Sequence, residues 1–367
     1  MEYKGTKGVK LALLLCSFFL VTISAWAGTH PQATVLQQEI ERYAAIEKAG
    51  GWGIIKLSKK FLQQGEESEA VVALKKRLRA TGEYKSEDLS NTFTTELTAA
   101  VKKVQERYGY KPTGVVDASL VKALNIPVSK RIQQLQINLQ RLETTPLPGT
   151  GTRLVANIPE YKLYVYEGDR IVFDMNVVVG SESNKTVIFN DEMNSIVFSP
   201  YWNVPPSIVK NEILPAMRGN REYLWRHRYV QTGTENGLPV IRQLPGAKNS
   251  LGKVKFVFPN SHNIYFHDTP AKSLFSLNKR AFSHGCIRLS EPQKLAEYLL
   301  RNSKEWTPAK IKAAMDSGKE TVVSLSTPVP VSITYFTAWV DGAGTVHFRD
   351  DVYGRDAADS RSLAKGQ

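Results

Sequence analysis

The chain has two cysteines in 367 residues. So few thiols exclude a disulfide-stapled miniprotein, and paired-cysteine spacing of the kind that builds a structural zinc site is missing. Long apolar runs are equally scarce. There is one, which excludes a protein that crosses a membrane many times. No low-complexity tract and no long-period repeat occurs, and 42% hydrophobic with 23% charged residues excludes a disordered chain. Globular material remains, enough for two or three domains that bury a core without covalent staples.

The apolar run, residues 11–23, follows Lys4, Lys7 and Lys10 and precedes the small-x-small triplet Ala25-Trp26-Ala27. It falls short of the roughly 20 residues a spanning helix needs and reads as a secretory signal peptide, residues 1–27, cleaved after Ala27. A lipoprotein cysteine at Cys16 is disfavoured, because Leu13, Leu14 and Leu15 put bulk where that signal needs a small residue. Cleavage removes three lysines and one glutamate, so the formal charge of +13 becomes +11. For an exported protein this charge points away from nucleic acid and towards an anionic envelope polymer or membrane surface, the alternative being a merely solvated basic surface. No stable membrane anchor is left after cleavage. Cys286 then stands as the sole thiol in a compartment where thiols are oxidised in pairs, which makes it a candidate nucleophile.

Apolar spacing divides the remainder. Leu36, Ile40, Tyr43 and Ile46 predict an amphipathic helix that Gly50-Gly51 stops. Three more helices are expected from Val71, Leu74 and Leu78 before Gly82, from Leu97, Val101, Val104 and Tyr108 before Gly109, and from Leu120 and Leu124 after a capping Asp117. Ile132, Leu135, Leu139 and Leu142 predict a further helix, followed by the Pro/Gly-rich linker 144–151. Beyond it the period changes to alternation. Residues 162–166, the turn Gly168-Asp169 and residues 171–179 form a hairpin signal, with short strands expected at 196–198, 254–258 and 264–266. Ser290-Glu291-Pro292 opens a helix that buries Leu295, Tyr298 and Leu299. Residues 217–252 are polar, rich in Arg and Gly and without sustained periodicity, as in a surface lid or binding loop. A last hairpin is expected between residues 331–340 and 345–348 around Asp341-Gly342.

The chemistry is concentrated in Ile264-Tyr265-Phe266-His267-Asp268-Thr269-Pro270 and Ser283-His284-Gly285-Cys286-Ile287-Arg288-Leu289. Half of the six histidines lie between His262 and Cys286. A thiol with an ordinary pKa near 8.5 needs an imidazole or a positive neighbour to become a useful nucleophile. His284, two positions from Cys286, would face the same side in an extended segment, and His267 ends an expected strand that sheet pairing can bring alongside. Gly285 lets substrate approach the backbone, and the amides around Gly285 and Cys286 can point at a developing oxyanion. These residues support acyl transfer or hydrolysis through a thioester. Metal binding is the rival reading, weakened by the single cysteine. Trp202, Asn203 and Tyr265 suit a groove for a sugar-peptide strand, with core packing the alternative for the aromatics.

His267 followed sixteen positions later by Ser283-His284-Gly285-Cys286 and a branched apolar residue resembles the signature of the YkuD-type L,D-transpeptidase catalytic domain. Several further stretches resemble the larger Gram-negative branch: Ile132-Gln133-Gln134-Leu135-Gln136-Ile137-Asn138-Leu139, Tyr201-Trp202-Asn203-Val204-Pro205, Pro245-Gly246-Ala247-Lys248-Asn249-Ser250-Leu251-Gly252 and Tyr335-Phe336-Thr337-Ala338-Trp339-Val340-Asp341. Ala100-Val101-Lys102-Lys103-Val104-Gln105-Glu106-Arg107-Tyr108-Gly109, with Lys111-Pro112-Thr113-Gly114-Val115-Val116-Asp117, resembles a three-helix peptidoglycan-binding module. The resemblance implies an α+β multidomain protein. Its parts are a scaffold region (28–64), the helical module (65–127), a scaffold helix and linker (128–150), a β-rich catalytic domain (151–327) with a capping insertion at about 217–252, and a C-terminal hairpin and tail (328–367).

The activity it implies is periplasmic L,D-transpeptidation of peptidoglycan. Cys286 is the nucleophile, His267 the general base and acid, His284 a supporting residue, Gly285 an oxyanion backbone, and Tyr265, Ser283, Trp202 and Asn203 substrate-binding. Stem peptides and glycan strands are the partners, carbapenem β-lactams are covalent inhibitors, and no cofactor or metal is called for. Arg288 replaces the Asn of many members and either orients the Cys286 loop, binds a stem-peptide carboxylate through its forked donors or makes a structural salt bridge. An L,D-carboxypeptidase, a sortase-like ligase and a silent envelope-binding protein are the alternatives.

Overall fold

The computed structural model describes residues 30–143, 145 and 149–363. The signal-peptide reading with Cys16, and part of the expected linker, lie outside the described residues. Among the described residues no helix is long and apolar enough to cross a membrane.

The N-terminal half is helical. α1 (Pro31–Lys48), α2 (Glu69–Thr81), α3 (Thr95–Arg107), α4 (Ala118–Leu124) and α5 (Val128–Glu143) follow one another, each bounded by local chemistry. Thr94 caps α3 by accepting the Leu97 N–H, Asp117 caps α4 by accepting that of Leu120, and Gly82 ends α2 in the left-handed region. Leu36, Tyr43, Val71, Leu74, Leu78, Leu97, Val101, Val104, Leu120 and Leu124, the residues that set the helical period, are all buried in one core. That core contains more than the helices. Ala338, Val340, Val346 and Phe348 enter it from a C-terminal hairpin, Ala338–Val340 with Val346–Phe348.

The hairpin is shorter than the sequence suggested. Val331 belongs instead to the fourteen-residue strand Thr321–Thr334, whose end runs parallel to Thr152–Asn157. The chain leaves the sheet after Thr334 because side chains of α5 capture it: Asn138 Oδ1 accepts the Thr337 N–H at 2.9 Å, and Gln134 Nε2 donates to the Thr337 carbonyl at 3.0 Å.

The second half is built on a nine-stranded sheet. Its order is Ala281–Ser283, Arg170–Gly180, Ile287–Leu289, Phe266–His267, Val254–Val257, Phe189–Phe198, Thr321–Thr334, Thr152–Asn157 and Lys162–Glu167. Lys162–Glu167 also pairs with Arg170–Gly180 through the expected Gly168-Asp169 turn, so eight of the strands close into a ring. Leu154, Leu163, Val165, Val177, Ile196, Phe198, Val254, Phe256, Phe266, Ile287 and Leu289 fill the inside. Burying a side chain of this size is worth roughly 1.5–3 kcal/mol. The helix Pro292–Leu299 packs Leu295 fully and Tyr298 and Leu299 partly against this core.

Residues 217–252 are not an aperiodic loop. Tyr229–Glu235 and Leu238–Gln243 form a hairpin across Asn236-Gly237, both with positive φ, and Trp202–Asn203 pairs with its second strand. Val204, Ile208, Val209, Ile213 and Ile241 make a small separate core beneath it. The cap therefore begins near Trp202, ahead of the boundary expected at Met217, and includes the π-helical turn Val209–Ile213.

Candidate active site

Sheet register decides which side chains meet. The strand Phe266–His267 runs parallel to Ile287–Leu289 with Phe266 opposite Ile287 and His267 opposite Arg288. Phe266 and Ile287 point into the core. Alternation therefore sends Tyr265, His267, Cys286 and Arg288 to the other face. On the neighbouring antiparallel strand Lys255 is the register partner of His267 and shares that face. Four residues named from sequence thus converge, and Lys255, the lone charge in an apolar run, joins them.

His267 is 5% exposed. Its Nδ1 lies 2.5 Å from the Asp268 carbonyl oxygen. A carbonyl can only accept, so Nδ1 carries the hydrogen and Nε2 is left with a free lone pair. Burial, reinforced by the charge of Arg288, pushes the imidazole pKa down to about 3, against the pull of the Asp268 hydrogen bond. The ring is a neutral base at physiological pH. Asp268 is fixed in turn: one carboxylate oxygen accepts the Lys253 N–H at 2.8 Å and the other pairs with Lys272 Nζ at 2.6 Å. Gly252 makes room for it, since a Cβ there would stand 2.3 Å from Asp268 Oδ2.

The Cys286 thiol is half-buried and points at the Asn263 carbonyl, 3.5 Å away. Burial raises its pKa, while Tyr265 hydrogen bonding and the charges of Lys255 and Arg288 pull the other way. With a low imidazole pKa and a raised thiol pKa, the resting pair is uncharged. Lys255 Nζ lies 3.9 Å from the ring centroid of Tyr265.

The loop carrying Cys286 is braced from two sides. Ser283 Oγ donates to the Cys286 carbonyl at 2.5 Å and accepts the Gly285 N–H at 3.1 Å. Gly285 therefore offers its own amide to Ser283, which corrects the expectation that this N–H faces an oxyanion. The Cys286 amide makes no hydrogen bond among the described residues. In a regular ladder it would face Gly180, by continuation of the Arg288–Val178 pairing. The polar groups of Gly180 are taken elsewhere: its N–H donates to Thr186 Oγ1 at 2.9 Å and its carbonyl accepts the Tyr353 hydroxyl at 2.7 Å.

His284 is engaged with the cap. Gly285 has φ +119°, so regular strand alternation does not continue across it, and His284 Nε2 meets Glu212 Oε1 of the cap at 2.6 Å. Asn203 is likewise engaged within the cap, its Oδ1 accepting from Arg242 Nε at 2.8 Å. Thr186, Tyr353, Glu212 and Lys255 were not singled out from sequence. For Lys255 a signal existed, a charged residue at one alternate position of a buried strand.

Residues 151–331 match the family model described as the YkuD L,D-transpeptidase catalytic domain. That stretch is thus similar to YkuD catalytic domains. Residues 67–124, spanning α2 to α4, match the model described as "Putative peptidoglycan binding domain". A "Putative L,D-transpeptidase" of Haemophilus influenzae is 32% identical over 250 residues, covering 63% of this chain and 50% of that protein. The chain thus spans about half the length of this curated relative. Among solved structures, an L,D-transpeptidase from Stackebrandtia nassauensis is 15% identical with a TM-score of 0.29, covering 76% of this chain and 97% of that one. The LD transpeptidase LdtMt1 in complex with imipenem is 16% identical with a TM-score of 0.27, covering 51% and 60%. All the converging residues, Lys255 through Arg288, lie inside the YkuD match.

Proposed function

We propose that the chain is a peptidoglycan L,D-transpeptidase that forms 3→3 cross-links through a Cys286 thioester. The carrying observation is the shared sheet face of Cys286 and His267, with the imidazole tautomer set by Asp268 so that Nε2 is the free proton acceptor. Because both groups are neutral at rest, proton transfer accompanies attack. His267 Nε2 takes the thiol proton as sulfur bonds to the carbonyl carbon between the third stem residue and the terminal D-Ala. The Cys286 amide receives the oxyanion. Collapse breaks the C–N bond, the His267 proton goes to the departing amine, and D-Ala leaves. The side-chain amine of diaminopimelate on an acceptor stem then attacks the thioester, loses its proton to His267 and restores the thiol.

Tyr265 and Trp202 line the donor groove in this reading, with Asn203 at its cap side and Ser283 acting as the brace of the loop. His284 supports the site by tying the loop to the cap. The module at 67–124 holds glycan strands, and the net charge favours the anionic wall. The leader 1–27 delivers the protein to the periplasm. A carbapenem presents a strained carbonyl to the same thiol and acylates it. The test is incubation of disaccharide tetrapeptide with wild-type and Cys286→Ala protein, with products read by mass spectrometry. Dimer plus D-Ala from the wild type alone is expected; continued D-Ala release by the variant would sink the reading, and tripeptide without dimer would make the enzyme a carboxypeptidase.

A further inference from the structure

Three register partners stand in a row across neighbouring strands, with Lys255 on one side of His267 and Arg288 on the other. Strands lie about 4.8 Å apart, so two cationic stems flank the base within roughly 10 Å, on the face that carries Cys286. Other cations close by are compensated. Lys253 pairs with Asp316 at 2.6 Å, and Lys272 with Asp268.

Lys255 and Arg288 differ. Among the described residues neither has an ion pair or a side-chain hydrogen bond, and Arg288 Nε is buried with no acceptor. The aromatic ring of Tyr265 is the contact made by Lys255 Nζ. Glu320, the carboxylate whose field reaches Lys255, has its Oε2 occupied by the Tyr201 N–H at 2.8 Å. Two cations partly stripped of water without an acid are costly. They also repel a proton from His267. The Cys286 thiolate is the one anion of the chain that favours both cations; while the thiol keeps its proton, a compensating anion comes from outside the chain and binds next to the thiol.

We infer that Lys255 and Arg288 together form a receptor for the terminal carboxylate of the leaving D-amino acid. The inference rests on the transpeptidase reading. That carboxylate lies one residue beyond the scissile bond, within reach of cations that flank the base. Arg288 presents a fork suited to two carboxylate oxygens, and Lys255 adds a point charge. The receptor makes a free carboxyl end, one residue past the scissile carbonyl, part of what the enzyme recognises. A stem with a neutral end, or one extended by a further residue, leaves the two cations unpaired.

The experiment compares disaccharide tetrapeptide ending in D-Ala with the same compound ending in D-Ala carboxamide. Formation of the Cys286 acyl-enzyme on the full mature chain is followed by intact mass spectrometry. Wild type should favour the acid by about 10- to 100-fold in kcat/KM, the size expected of charge-assisted hydrogen bonds. In Lys255→Met and in Arg288→Gln the preference should shrink towards unity, mainly through KM, while Lys255→Arg retains it. Equal wild-type rates for acid and amide overturn the receptor alone, a result that needs no variant to fold. Equal slowing of both substrates in the variants also overturns it, assigning the cations to the thiol. No adduct from either substrate overturns the transpeptidase reading and the receptor with it.

Discussion

The hydroxyl of Thr186 donates to the carbonyl of Gly285 at 2.7 Å while accepting the Gly180 N–H at 2.9 Å. One buried side chain therefore holds the Cys286 loop and the end of the strand Arg170–Gly180 beside it. The Tyr353 hydroxyl, which accepts the Thr186 N–H at 3.2 Å and donates to the Gly180 carbonyl, completes the brace. Thr186→Val removes both bonds of the hydroxyl at nearly constant volume. Its expected cost is roughly 1–3 kcal/mol in stability. It should also slow Cys286 acylation about tenfold or more, by letting the loop shift. Thr186→Ser should restore acylation, a rescue that separates positioning from simple packing; stopped-flow acylation and thermal melts check both.

The uncharged resting pair has a signature in pH. Iodoacetamide alkylation of Cys286 should rise with pH to a midpoint above the ordinary thiol range, with no reactive plateau near pH 6, because burial disfavours the thiolate. A thiolate–imidazolium pair would instead react rapidly in mild acid. Measured alkylation rates between pH 5 and 10 distinguish the two.

His267 also links stability to pH. Its folded pKa of about 3 lies below its ordinary 6.5, so the unfolded chain binds the extra proton between those values. The neutral imidazole therefore contributes nothing adverse above pH 6.5, and folded-state stability is lost as pH falls from 6.5 towards 3. The shift corresponds to roughly 4 kcal/mol over that window. His267→Gln should lack this component. Denaturant titrations of both proteins at pH 7 and pH 4 should show the stability difference moving in favour of the variant by a few kcal/mol on acidification.

The contact between His284 and Glu212 joins the Cys286 loop to the cap through two exposed side chains. Exposed pairs of this type contribute little, about 1 kcal/mol or less. His284→Ala and Glu212→Gln should therefore leave the melting temperature nearly unchanged and weaken donor binding by a similar, small factor. A double variant no worse than either single would place both on one contact, read from KM in a double-mutant cycle.

Gly252 has φ +63° and no space for a Cβ beside Asp268. Gly252→Ala should destabilise the fold by about 1–3 kcal/mol and displace the carboxylate that follows His267. Differential scanning fluorimetry reads the first effect, and acylation rate the second.

Much of this was written in the sequence because local chemistry wrote it. Helix periods at Leu74, Val101 and Leu120 coincide with capping and stopping residues, and the Gly168-Asp169 turn lies between alternating runs. The shared sheet face of Cys286 and His267 follows from the strand expected at 264–266, which pairs with Ile287–Leu289. The partner of His284 was not legible, since Glu212 lies 72 residues away in sequence, in the cap. Asn236-Gly237 is a strong hairpin signal, yet the polar composition around it obscured the cap strands. The role of Thr186 and Tyr353 was hidden for another reason: their partners are backbone groups about 100 and 173 residues away in sequence, where no periodicity reaches.

The departure of the chain from the sheet after Thr334 bears on where this protein can be cut. Tyr353 reaches Gly180 only after the hairpin has passed through the helical core, where Arg107 Nε holds the Val346 carbonyl at 2.9 Å. A fragment trimmed to residues 151–331 would keep Cys286, His267, Lys255 and Arg288 and lose the strut that Tyr353 places beneath the Cys286 loop. Exchange of modules by recombination meets the same obstacle: the part that travels as a unit is longer than the part that does the chemistry.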